Sequence, residues 1–179
     1  MADPVIAQRF EKLVLPHMNS AFNVARWLTH NDQDAQDVVQ EAYLRAFRFF
    51  GGFRGEDARA WLLRIVRNTF YTWHQQNRGH AADTTEFEED IHSLETGTAE
   101  HDDSPEAMLI RSQSQKRVRK ALQSLRLEYR EVVVLRELEE LSYKEIAAIV
   151  DIPMGTVMSR LGRARQQLAA LLAPTDREA

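Results

Sequence analysis

The sequence predicts an all-α protein: two small helical domains joined by an acidic flexible linker. Three observations lead there. Helix formers dominate, with only seven Gly and five Pro in 179 residues. No segment alternates apolar and polar residues with the β-branched enrichment of a strand. Charge is also unevenly divided. Residues 79–110 hold ten acids (Asp83, Glu86, Glu88, Glu89, Asp90, Glu95, Glu100, Asp102, Asp103 and Glu106) and no Lys or Arg. The remainder carries 23 Lys and Arg against 17 acids, so the formal charge of −4 hides two cationic parts flanking an anionic one. The expected boundaries are 5–79 for the first domain, 80–104 for the linker and 105–173 for the second domain. Low hydrophobicity and charge of one sign argue against the linker packing a core of its own.

In the first domain, 10–30 reads as helix, interrupted or restarted near Pro16. Asn31 or Asp32 caps a helix running to about Phe50. Its core candidates are Val38, Val39, Ala42, Ala46 and Phe49, while Asp34, Asp37, Gln40, Glu41, Leu44 and Arg45 lie partly on other faces. Gly51-Gly52 ends it, and FRGEDAR forms a loop. Helix resumes at Ala58 or Arg59. From 58 to 82 there is no acid, while Arg59, Arg64, Arg67 and Arg78 are present. Trp61, Leu62 and Ile65 suit a core; Tyr71 and Trp73 fall beside the polar face. Aromatics among arginines suit single-stranded nucleic acid, where stacking contributes ~1–3 kcal/mol per base.

The second domain offers amphipathic helices at 107–125 and 129–138 and then two helices joined by a tight turn, LSYKEIAAIVDIPMGTVMSRLGRARQQLAALL, at 141–172. Ser142 and Glu145 make a capping box, and Ile146, Ala147, Ile149 and Val150 form an apolar face. Asp151-Ile152-Pro153 breaks the pattern, Pro153 suiting the first turn of the next helix. Val157, Leu161, Ala164 and Leu168 fall on that helix's buried side, leaving Ser159, Arg160, Arg163 and Arg165 for other faces. No acid occurs between Ile152 and Thr175. An acid-free cationic helix after a tight turn is what phosphate contact and base-edge reading require.

Other classes are disfavoured. Without cysteine there is no disulfide, thiolate zinc site or thiol redox sensor. The longest apolar run, 168–173, is far short of the ~20 residues of a membrane span. MADPVIAQRF shows no secretory leader, so the expected location is cytoplasmic. Glu89-x-x-His92 has a di-iron spacing but no second copy, and His80, His92 and His101 are irregularly spaced. The expectation is a non-enzyme with no metal and no cofactor.

Three ordered segments carry a resemblance: FEKLVLPHMNSAFNVARWLTHNDQDAQDVVQEAYLRAF, FRGEDARAWLLRIVRN and LSYKEIAAIVDIPMGTVMSRLGRAR. Together they resemble the bacterial extracytoplasmic-function sigma factors over nearly the whole chain outside the linker and tails. The resemblance implies a region 2 domain that docks on the clamp helices of core RNA polymerase and melts the promoter −10 element. It implies a region 4 domain that reads the −35 element as duplex and touches the polymerase flap. An anti-sigma factor covering the polymerase-binding surfaces is a further implied partner. Asp34, Asp37, Gln40, Glu41 and Leu44 match the polymerase-docking helix. Arg54, Gly55, Glu56 and Asp57 match the loop that captures a flipped −10 base, and Trp61, Arg64, Arg67, Asn68, Tyr71 and Trp73 lie on the matching helix. Thr156, Met158, Ser159, Arg160, Arg163 and Arg165 match the −35 helix, with Thr156 near a phosphate at its N-terminus.

Two departures stand out. Met158 replaces a frequent Lys or Arg; it cannot pair with a guanine edge but can touch a thymine methyl. After Arg67-Asn68 the chain reads Thr72-Trp73-His74-Gln75-Gln76 where basic residues are common, shifting the expected −10 contacts toward Tyr71 and Trp73. The acidic linker reads equally as a solvated tether or as a nucleic-acid mimic inside the polymerase channels. The rival reading of the whole chain is a polymerase-independent helix-turn-helix regulator. Whether the two domains pack together when free is left open.

Overall fold

The computed structural model describes residues 3–55, 57–77 and 104–174, and every regular element among them is helical. The expected linker lies outside the described residues except for Ser104, as do Glu56, Glu89 and His92. No described helix is long and apolar enough to cross a membrane.

Four helices build the first domain: α1 (Pro4–Val14), α2 (Met18–Thr29), α3 (Asp32–Phe49) and α4 (Ala58–Gln76). The break expected at Pro16 is a single 3₁₀ turn, Leu15–His17. Local chemistry sets each boundary. The Asp3 carboxylate accepts from the Val5 amide, Asn31 from Asp34 and Asp57 from Ala60, so each of these side chains satisfies an amide that an N-terminal turn leaves unpaired. His30 ends α2 in the left-handed conformation, with φ of 58°.

Val38, Val39, Ala42 and Ala46 are buried as expected, but Phe49 is 62 % exposed and Phe50 is buried instead. The 3₁₀ turn Phe50–Gly52 tightens the helix end and swings Phe50 inward, a rotation that a continued α-helical count misses. Phe50 then stacks on Phe53, whose ring centroid lies 4.8 Å from that of Trp61. Gly55 lies close under this packing: a Cβ there would come within 3.2 Å of the Phe53 ring, which would have to shift by a few tenths of an ångström.

The second domain holds α5 (Pro105–Ser124), α6 (Leu127–Val133) continuing into the π-helical turn Val134–Leu138, α7 (Tyr143–Val150) and α8 (Met154–Leu172). Both halves of the Ser142–Glu145 capping box form. Asp151 adopts φ of 60° at the end of α7, and Pro153 is the N-cap of α8, one position before the first turn. Ile146, Ile149, Val150, Val157, Leu161 and Ala164 are buried between the two helices, while Ala147 and Leu168 are half-buried at the edge.

The question left open by the sequence has an answer here: the domains touch. Helices α2 and α4 pack against α6, its π turn and α7, and the apolar cores run together into one cluster. Arg130 of α6 donates to the Leu28 carbonyl near the end of α2 at 3.4 Å and to the Leu125 carbonyl at 3.1 Å.

Candidate nucleic-acid and partner interfaces

Helix α8 separates its polar residues by angle. Met158, Ser159 and Arg163 are exposed, with Met154 one turn before Met158. The Ser159 hydroxyl donates back to the Gly155 carbonyl at 3.0 Å, leaving its oxygen lone pairs outward. Thr156 is half-buried in the first turn, its amide already donating to the Pro153 carbonyl at 2.9 Å. The remaining two arginines are engaged within their own domain. Arg165 pairs with Glu137 at 2.8 Å, and Arg160 points inward, 3.9 Å from a Glu131 carboxylate oxygen.

On α4 the core stripe is Leu62, Val66, Thr69 and Phe70, and Trp61 is half-buried on Phe53. Arg64 and Asn68 are exposed. Arg67 and Tyr71 lie a turn apart beside them but turn toward the second domain. Arg67 Nε sits 3.1 Å from Glu131, its guanidinium stacks 4.1 Å over the Tyr71 ring, and the Tyr71 hydroxyl donates to Glu131 at 3.2 Å. Burial pushes the Tyr71 phenol up to about 12, so it stays protonated and able to donate to Glu131. Trp73 continues the side of α4 that faces α3, where it lines a cavity of about 350 Å³ with Asp37, Glu41, Thr69 and Thr72. The structure therefore sets Trp73 apart from Arg64 and Asn68 and beside residues of the docking set.

The loop between α3 and α4 is anchored by buried Phe53, leaving Arg54, Gly55 and Asp57 at the surface. Asp57 is committed in part to capping α4. On α3, Asp37, Gln40, Glu41 and Leu44 share one exposed face, with Leu44 60 % exposed and Glu41 paired to Arg45 at 2.8 Å. Asp34 is half-buried one turn earlier. Burial first, and then the charge of Asp37, holds its carboxyl above the ordinary range.

Residues that the pattern reading passed over tie the domains together. Glu131 is 2 % exposed, and Glu139 is 6 % exposed. Arg59 contacts both the Glu139 carbonyl at 2.7 Å and its carboxylate at 2.6 Å, while Asn23 donates to the other oxygen at 2.7 Å. The available signal was Glu131 set against the apolar run Val132–Leu135: a carboxylate in such a run is expected to be buried and therefore paired. Among the described residues no group of three or more His, Asp and Glu could hold a metal ion.

Comparison with known proteins identifies the family of this fold. Residues 13–80 match the family model for sigma-70 region 2, and residues 115–168 match that for sigma-70 region 4. The chain is 37% identical to the RNA polymerase sigma-H factor of Pseudomonas aeruginosa over 178 residues, covering 95% of this chain and 89% of that one. It is 35% identical to the ECF RNA polymerase sigma-E factor of Escherichia coli over 190 residues, covering 99% and 97%. Among solved structures it is similar to the sigma factor RpoE of Bartonella quintana, in complex with the anti-sigma factor NepR. The TM-score is 0.70 at 27% identity, covering 92% of this chain and 97% of that one. CnrH, in complex with the cytosolic domain of CnrY, gives a TM-score of 0.63 at 27% identity, covering 93% and 88%. The chain belongs to the sigma-70 family of RNA polymerase sigma factors, in its extracytoplasmic-function branch.

Proposed function

We propose that this chain is a cytoplasmic promoter-specificity subunit that binds core RNA polymerase and directs it to a set of promoters. Helix α8 enters the −35 major groove, with Met158, Ser159 and Arg163 facing base edges and Thr156 near a phosphate at its N-terminus. Helix α4 and the loop before it hold the separated −10 strand. Arg64 and Asn68 are available for it at once, and Arg67 and Tyr71 after a change of partner. The exposed face of α3 docks on the polymerase clamp helices, region 4 meets the flap, and an anti-sigma factor competes for these surfaces. Trp73, lying beside Asp37 and Glu41, acts in this reading by shaping the boundary between the docking and −10 surfaces.

The observation that carries the proposal is the outward arc of α8. Its sequence is free of acid and its helix N-terminus is exposed, with the apolar side packed against α5, α6 and α7. Free side chains of this kind contribute little unless a nucleic acid meets them. In vitro transcription with core polymerase on a randomised promoter library tests it. The expected result is RNA from a subset sharing a −35 and a −10 motif. Tight operator binding by the chain alone, with no polymerase-dependent RNA, would overturn it in favour of a polymerase-independent regulator.

A further inference from the structure

The arginines that should meet DNA are partly occupied by the protein's own carboxylates. Glu131 comes from region 4, yet two of its three side-chain partners, Arg67 and Tyr71, stand on α4 of region 2; the third, Arg160, stands on α8. A carboxylate with a purely local role would find its partners within its own domain. Glu139, eight positions on in the same α6 segment, repeats the arrangement by gripping Arg59 and Asn23 of region 2. Both acids face the same way, from region 4 into the cationic side of region 2.

We propose that the free chain closes on itself, with Glu131 holding side chains of α4 and of α8 that DNA phosphates would otherwise meet. Promoter DNA and Glu131 then compete for Arg67, Tyr71 and Arg160. This rests on the reading of α4 and α8 as the DNA-contacting helices.

Charge balance makes the arrangement reversible. Arg67 of region 2 and Arg160 of region 4 converge on one acid. Remove its charge and the cations face one another across the domain boundary with nothing between them. Supply phosphates from outside and the same cations can leave together. A buried ion pair adds little net stability, because desolvation offsets most of its attraction, but half of it is costly to keep. Such a contact suits a closure that opens by exchanging one anion for another. Exposed Arg163 stays outside it and can make the first contact with duplex DNA.

The chain has no cysteine, so a labelled pair at Glu11→Cys and Gln167→Cys reports the separation of the domains in the full-length protein. In the otherwise native chain the labels should give one narrow distance distribution. Glu131→Gln should broaden and lengthen it, with unchanged helical circular dichroism. The same change should raise binding of a −35 duplex fragment by the free chain about tenfold. Glu139→Gln should act in the same direction, and it decides the matter by the same two measurements if Glu131→Gln loses helix content. A broad, long distribution in the native chain overturns the proposal. So does closure that loosens in the variants with no gain in duplex binding. The function reading fails separately: if core polymerase with the native chain makes no promoter-directed RNA, that reading falls while the distance measurement still reports closure.

Discussion

Helices α4 and α8 carry the same signature in sequence, a long helix with several arginines and no acid, yet the fold uses them differently. Helix α8 keeps Met158, Ser159 and Arg163 at the surface, so its outward arc is ready for a ligand. Helix α4 gives Arg59 and Arg67 to glutamates of the opposite domain and exposes Arg64 and Asn68. Absence of acid within a helix therefore says nothing about acid beside it. The carboxylates that neutralise α4 come from α6 and from the residue capping its π turn, 64 positions further along the chain for the Arg67–Glu131 pair.

The contrast can be broken at several strengths. The largest effect belongs to the packing that holds α8 against α7. Leu161 is 1 % exposed, and Leu161→Ala should cost ~2–5 kcal/mol in urea unfolding followed by circular dichroism. A loss near zero would mean that α8 is not held by this core.

Acid should act next, at the domain boundary. Burial, and then the charge of Arg130, lowers His30 to about 4. The folded value lies below the unfolded one, so His30 is neutral in the fold and the unfolded chain binds its proton more readily. That share of stability is complete above pH 6.5 and is lost as pH falls from 6.5 toward 4. His30→Asn, whose side chain tolerates the left-handed backbone at this site, should flatten the slope of the unfolding midpoint over that window.

A paired substitution sharpens the comparison directly. On a −35 duplex fragment with free protein, Arg163→Ala should weaken binding and reduce the salt dependence by about one counterion. Arg67→Ala should strengthen binding to the same fragment, because it frees the closed arrangement while touching none of the −35 contacts. Changes of the same sign would show that the two helices are not used differently. The smallest and most local effect is at Met158, 48 % exposed on the outward arc. Met158→Arg should move preference at one −35 position from thymine toward guanine by ~1–3 kcal/mol, read by selection from a randomised duplex pool.

Much of the local structure was legible because it depends on neighbours in sequence. The Ser142–Glu145 capping box, the Asn31 cap, the buried stripe Val157–Leu161–Ala164 and the stripe Val38–Ala42–Ala46 all follow from spacings of three and four residues. The helical spacing predicts Phe49 in the core, and the structure buries Phe50, because a 3₁₀ turn changes the residue count per turn where the helix ends. Trp73 falls beside the polar face in the sequence, and the packing of α4 on α3 then sets it, half-buried, with Thr69, Thr72, Asp37 and Glu41.

Which segments are helices, where most of them start and stop, which faces are apolar and which family the chain resembles were all readable from residue order. Those properties come from backbone capping, helical periodicity and residues a few positions apart. The continuous core shared by the two domains, and the roles of Glu131 and Glu139 as counter-charges of α4, emerge from helix packing. An ion pair between distant segments leaves no periodic trace. Which arginine is satisfied and which faces solvent is settled when the helices pack, since packing alone fixes what lies opposite each side chain and how much water remains around it.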